Sequence, residues 1–364
     1  MNRREFLAAS AAGGALLLGG RAGRAAALFD PRPGPWRSFA VTTRLDIRRT
    51  GPGPVQAWVP LPSIHEPEWS LPEGDAWTGN AETLVEATDP ASGARILHAV
   101  FAADEAQPQL EVVSRFRTRD RGDVLAGPAP RPLDPADRAR FLAATELLPT
   151  DGIVKETADR ITAGHEGEEA RARAIYDWVV ENSRRVAEVR GCGLGDVASL
   201  LAMGDIGGKC ADLNALFVAL SRASGLPARD LYGIRVAPSA FGYKSLGAGS
   251  EVVTKAQHCR AEVWLDAHGW VPVDPADVRK VALEEPPGNN ALDSDKVAAA
   301  RAGLFGAWEG NWMAYNDAHD LILPGSEHRL AFFMYPQAEV AGALLDCLDA
   351  QNFAYAITAA ETTA

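Results

Sequence analysis

No two cysteines in this sequence stand as CxxC, and there are only four: Cys192, Cys210, Cys259 and Cys347. Four in 364 residues exclude a disulfide-built scaffold. The missing CxxC pairs also argue against a zinc site drawn from Cys192, Cys210, His258 and Cys259. A single Cys192–Cys259 bridge stays open at this stage. Basic residues are in deficit, with 36 Lys plus Arg against 48 Asp plus Glu. A chain of that sign repels phosphates, so no nucleic-acid partner is expected. Beyond residue 27 no apolar run approaches the roughly 20 residues of a membrane span, so the mature form is expected to have no membrane partner. No internal repeat is visible. What remains is the composition of a soluble globular chain, long enough for about two or three domains.

The first 27 residues form a separate unit. Arg3-Arg4 precede an apolar, Gly- and Ala-rich run from Phe6 to Gly20, followed by small residues ending at Ala27. This pattern reads as a twin-arginine export signal cut after Ala27, which places the mature protein in the periplasm or outside the cell. No cysteine follows the run, which argues against a lipid anchor. Cleavage would remove four arginines and one glutamate, taking the net charge from −12 to −15.

Residues 28–37, with Pro31, Pro33 and Pro35, read as a linker. Period-two alternation then begins. Phe39, Val41, Thr43, Leu45 and Ile47 form one set, Val55, Ala57 and Val59 a second, Ile96, His98 and Val100 a third, and Leu110, Val112, Ser114 and Phe116 a fourth. They predict an antiparallel β-rich domain, sandwich-like, over residues 36–125. After the Pro-rich stretch ending at Pro132, helical periodicity predicts helices opened by Asp134-Pro135, at Ile153–Ile161, at Glu168–Asn182 and after the capping Asp196. A further helix starts at Cys210, with Leu213, Leu216, Phe217 and Leu220 on one face and Gly225 just past its end. Strands are expected at Leu231–Val236, His258–Leu265 and Trp270–Val273, and again near Phe332–Tyr335 and Phe353–Ile357. The expected units are a core over 131–300 and a β-containing C-terminal extension over 301–364, packed on that core.

Cys210 follows Gly207-Gly208-Lys209 at a helix start. The partial positive charge and free N–H groups of a helix N-terminus favour a thiolate, and the Cys210 N–H is placed to meet an oxyanion. The glycines would leave room for a substrate backbone. Lys209 either adds charge beside the sulfur or is solvated. On the strand His258–Leu265, Cys259, Ala261, Val263 and Leu265 share an apolar face, which turns His258, Arg260, Glu262 and Trp264 to the other. Asp274 lies 16 residues after His258, and the midpoint, Asp266, falls in a turn signal. A hairpin with an odd-length loop there would set the two opposite each other. A carboxylate beside an imidazole fixes its tautomer and stabilises its cation, and the pair then holds a thiolate.

Taken together, Gly208-Lys209-Cys210-Ala211-Asp212-Leu213-Asn214, His258-Cys259-Arg260-Ala261-Glu262-Val263-Trp264-Leu265 and Gly269-Trp270-Val271-Pro272-Val273-Asp274-Pro275 resemble the three sequence blocks of the transglutaminase-like superfamily, in family order over about residues 135–280. The resemblance implies an α+β fold, a papain-like transglutaminase core preceded here by an antiparallel β-sandwich-like domain. It also implies a Cys210, His258 and Asp274 triad. One departure is Arg260, where many members carry an aromatic residue, a change expected to alter the cleft wall. For a second oxyanion donor, Trp178 and Asn182 are the nearest suggestions. His319 either lines a cleft or hydrogen-bonds within a loop, and Glu262 belongs either to a polar network near His258 or to the surface.

The expected chemistry is thiol-dependent acyl transfer on an amide of a protein or peptide substrate, through a thioester. Water as acceptor makes a protease or amidase, and an amine makes a transglutaminase; hydrolysis is favoured because no acceptor-site feature stands out. No metal or organic cofactor is required. The rival reading is a non-catalytic protein- or peptide-binding module that keeps the fold.

Overall fold

The computed structural model describes residues 29–49, 52–122, 124–127 and 129–363. The expected export leader, residues 1–27, lies outside the described residues. The β-rich unit opens with β1 (Arg37–Asp46), β2 (Val55–Leu61), β3 (Ser70–Gly79), β4 (Thr83–Thr88), β5 (Arg95–Phe101) and β6 (Gln109–Thr118). Helices α1 (Pro135–Leu142), α2 (Gly152–Thr162) and α3 (Glu168–Asn182) follow. Then come β7 (Arg184–Arg185), α4 (Val197–Met203), β8 (Gly207–Gly208) and α5 (Cys210–Ala223). The core sheet is built from β9 (Ala228–Arg235), β10 (Gln257–Leu265) and β11 (Gly269–Val273), followed by α6 (Pro275–Glu284) and α7 (Asp295–Gly303). The last strands are β12 (Trp312–Asn316), β13 (His319–Ile322), β14 (Arg329–Phe332), β15 (Gln337–Val340), β16 (Ala343–Leu344) and β17 (Ala354–Thr362).

The larger sheets are antiparallel. Their orders are β17-β1-β6-β3, β16-β15-β2-β5-β4 and β11-β10-β9-β12. The first two face each other across a core of Leu45, Val59, Leu97, Phe101, Val112 and Phe353, among others. A second apolar layer, with Phe39, Val41, Phe116, Ile234, Met313 and Ile357, joins the first sheet to the core sheet. Residues 301–364, expected to pack on the core, are threaded through both units. β12 completes the core sheet, while β15, β16 and β17 complete the two sheets of the β-rich unit.

Several local expectations need correcting. In β5 the inward set is Leu97, Ala99 and Phe101, whereas His98 and Val100 are only half-buried. Ile96 is buried as well, in a separate cluster with Trp58 and Phe333 beneath the β13–β14 hairpin. Of the expected linker 28–37, the described part, 29–37, is not free, because Phe29 is buried with its ring 5.3 Å from that of Phe241 and 5.5 Å from that of Tyr243. Thirteen of the fourteen residues of α5 are buried, Asp212 being the exception. That helix is therefore wrapped on every side rather than amphipathic. It ends as expected: Leu226 N–H bonds Ser221 O, Gly225 N–H bonds Arg222 O, and Gly225 has φ +79°. Among the described residues no helix is long and apolar enough to cross a membrane.

Candidate active site

Cys210 is the first residue of α5. The approach to it is fixed by Asp212, whose carboxylate accepts the N–H groups of Leu194, Gly195 and Lys209 at 2.9–3.0 Å. It ties the loop before α4 to the head of the cysteine helix. Gly208 is demanded by this clamp, since a Cβ there would stand 2.5 Å from Asp212 Cβ. A Cβ on Gly207 would meet Val186 at 2.8 Å. The two glycines thus make room for the protein's own side chains, and neither lines the substrate cleft.

The β10–β11 hairpin turns through the odd-length loop 266–268, with Leu265 opposite Gly269 and Ala261 opposite Val273. That register is two residues away from the one expected: continued one step, it sets Asp274 level with Arg260 rather than with His258. The parity is nevertheless the one required, and the diagonal is short enough for contact. His258 Nε2 lies 2.7 Å from Asp274 Oδ2. Asp274 also caps α6, with its Oδ1 accepting from Asp277 N–H and from Asn214 Nδ2. Asn214 spans the site, donating also to the Cys259 carbonyl and accepting from Ala276 N–H. Trp312 Nε1 donates to the His258 carbonyl, which fixes the backbone that carries the imidazole.

A second carboxylate belongs to this group. Asp277 Oδ2 is 3.4 Å from His258 Nε2, and both Asp277 oxygens accept from Arg235 Nη2 at 2.7 Å. Burial and Arg235 oppose protonation of His258, but Asp277 and Asp274 outweigh them and raise it to about 9. Asp277 is held well below the usual carboxylate range by Arg235 and His258 against its burial, while burial and Asp277 push Asp274 up. The donor atoms of His258, Asp274 and Asp277 lie within 4.8 Å of one another. Arg235 already engages both oxygens of Asp277, so the group is electrostatically filled from within the chain.

Three thiols meet at the head of α5. Cys259 Sγ donates to Cys210 Sγ at 3.9 Å, and Cys192 Sγ donates to the Gln257 carbonyl at 3.4 Å. Contacts from Cys192 and Cys259, together with the hydrogen bond and charge of His258, hold the Cys210 thiol well below its ordinary value despite burial. Cys192 is pushed up by the same contact, and Cys259 by burial. All four cysteines are free, so the open question of a Cys192–Cys259 bridge resolves to two thiols. With Cys210 ionised and His258 protonated, three cations (Arg235, His258, Arg260) balance three anions (Cys210, Asp274, Asp277), all on residues at most 4% exposed. Neutralising only one member would leave a buried charge uncompensated.

Cys210 is 4% exposed and His258 3%. Both line a cleft of about 530 Å³ whose other walls include Gly191, Cys192, Gln257, Tyr335, Phe353 and Tyr355. That volume suits a short segment of peptide. Gln257 Nε2, buried in this wall, has no hydrogen-bond partner among the described residues, while the Tyr335 hydroxyl lies against the Cys192 thiol.

Other expectations are relocated. The face of β10 that carries His258 is as buried as the other. Arg260 does not line the cleft. It donates to Glu309 O and Asn311 Oδ1, and its guanidinium lies 4.8 Å from the Trp312 ring and 5.3 Å from that of Trp308. Glu262 is fully buried in a network with Arg121 and Arg229. Asn182 donates to the Trp178 carbonyl, and neither residue reaches the cleft. His319 sits 3.4 Å from Asp230, away from the site. Sequence reasoning missed Asp277, Arg235, Asn214 and Gln257. Asp277, three residues after a capping aspartate, and Asn214, four after the cysteine and so on its helix face, carried a readable spacing signal. Arg235 and Gln257 carried none.

Residues 155–275 match the profile of the transglutaminase-like superfamily. An uncharacterised protein of Haemophilus influenzae is 37% identical over 333 residues, covering 87% of this chain and 89% of that protein. A candidate cysteine protease from Cytophaga hutchinsonii shares the architecture at 14% identity, with a TM-score of 0.50 over 90% of this chain and 99% of that one. A more distant likeness, to the periplasmic domain of TgpA from Pseudomonas aeruginosa, has 18% identity and a TM-score of 0.34 over 71% of this chain and 90% of that one.

Proposed function

The chain belongs to the transglutaminase-like superfamily, and from that premise we propose that it is an exported thiol hydrolase of peptide amide bonds. Cys210 is its nucleophile, His258 its acid and base, and Asp274 the residue that holds the imidazole. One observation carries the reading: His258 lines the same cleft as Cys210 and lowers its thiol pKa, while its Nε2 bonds Asp274 at 2.7 Å.

The thiolate attacks the amide carbonyl. The negative charge that develops on oxygen is met by Gln257 Nε2, which is otherwise unpartnered. His258 delivers its proton to the departing amine, the C–N bond breaks, and a Cys210 thioester remains. His258, now neutral, takes a proton from water, whose oxygen attacks the thioester. The carboxylic acid leaves and the thiolate–imidazolium pair is restored. Asp274 keeps the imidazole oriented in both halves, and Asp277 supports the cation. The Arg3-Arg4 leader, read as an export signal, supports assignment to the periplasm or the exterior.

The test combines alkylation with turnover. At neutral pH iodoacetamide should label Cys210 far faster than Cys347, and wild type should release amine from a peptide pool while Cys210→Ala does not. An alanine variant with full turnover, or a Cys210 no faster to label than Cys347, would end this reading. A binding module would have no use for a neutralised buried thiolate.

A further inference from the structure

The cleft wall has 23 residues, and not one is an aspartate or glutamate, although the chain as a whole carries a net charge of −12. Six are cations: Arg185, Arg190, Lys209, Arg235, Lys255 and Lys280. Behind the wall, Arg185 and Lys280 share Glu284, Arg190 meets Asp346, and Arg235 meets Asp277. Six cations against three carboxylates leave an excess of positive charge. Among the described residues the side-chain ammonium groups of Lys209 and Lys255 form no ion pair with a carboxylate. Both line the cleft, and in sequence Lys209 directly precedes Cys210 while Lys255 stands three residues before His258.

This focus is local. A protein of strong negative charge that keeps one concave surface purely basic directs anions to that surface and turns them from the rest. The lining also includes the apolar side chains of Phe353, Tyr355, Leu348 and Val252, the last 65% exposed. Glycines Gly191, Gly247 and Gly249 line the same cleft. The wall therefore combines cations, apolar side chains and glycines around the nucleophile, and holds no carboxylate.

We propose that the substrate is an acidic peptide, with carboxylates flanking the amide that Cys210 attacks and Lys209 and Lys255 receiving them. This deepens the hydrolase reading and rests on it for the identity of the attacked bond. Binding is tested on the full-length mature Cys210→Ala protein, which does no chemistry, so charge preference and catalysis are separated. The probes are two blocked pentapeptides: one has a central glutamine flanked by two glutamates, and in the other those two positions are also glutamine. Affinity is read by NMR titration, which registers weak binding. The glutamate peptide should bind at least about fivefold more tightly at low salt, a difference that about 0.5 M NaCl erases. Adding Lys209→Gln and Lys255→Gln should remove most of the preference. Equal affinities for the two peptides, no binding of either, or a preference that survives both lysine changes overturns the proposal. Any of these results leaves the hydrolase reading to its own alkylation and turnover test.

Discussion

Replacing Asp277 by asparagine should lower the pH at which His258 gives up its proton. The two groups are 3.4 Å apart. At an effective dielectric of about 20, unit charges at that distance interact by roughly 5 kcal/mol, or about 3.5 pK units. Part is returned as the surrounding dipoles readjust around the neutral amide. The net expectation is a fall of about two units from the starting value of about 9. The assay is NMR titration of the ring Cε1 signals in histidine-labelled protein, with His258 assigned among the seven histidines by a His258→Asn control. Asparagine leaves Arg235 buried without its partner, at a cost of about 3–5 kcal/mol. The companion variant Asp277→Asn/Arg235→Met therefore removes both charges. Arg235 opposes protonation and Asp277 favours it, so the double variant should titrate within about one unit of wild type. A midpoint that stays near 9 in the single variant, or falls equally in both, would refute the idea that Asp277 sustains the imidazolium.

In wild type, kcat/KM should decline as pH rises through about 9, because His258 then has no proton for the leaving amine; a profile still rising beyond pH 10 would contradict this. Cys259→Ala removes a donor 3.9 Å from the nucleophilic sulfur. It should raise the thiolate midpoint of Cys210, followed by absorbance near 240 nm, by about one unit. Gln257→Ala should cut kcat roughly a hundredfold with little change in KM, whereas a role in substrate binding alone would raise KM instead.

The legible part of this molecule is the part with local cause. Asp134 and Asp196 each cap the helix that follows, through bonds to Ala136 N–H and Ser199 N–H, and both stood out as caps before an apolar pattern. β1 and β6 alternate cleanly because one face of each meets the sandwich core. β3 and β4 were not legible. Both lie at sheet edges, and β3 carries Pro72 and Gly74 with a register shift between them, which breaks the alternation that marks a strand. The triad was legible through residue types and order. The hairpin register was not, because parity alone cannot distinguish a loop centred on Asp266 from one centred on Ala267. Arg235 and Gln257 stayed invisible because a partner on another element gives neither a sequence spacing.

β17 lies alongside β1 from Ser38↔Thr362 to Asp46↔Ala354. On a growing chain β1 must therefore wait, with that edge bare, until residues 354–362 have been made. Tyr335, Phe353 and Tyr355, which wall the cleft, arrive equally late. A nascent polypeptide already carries the cysteine, histidine and aspartate long before it owns a finished groove. The groove around the sulfur is complete only once these late residues are in place.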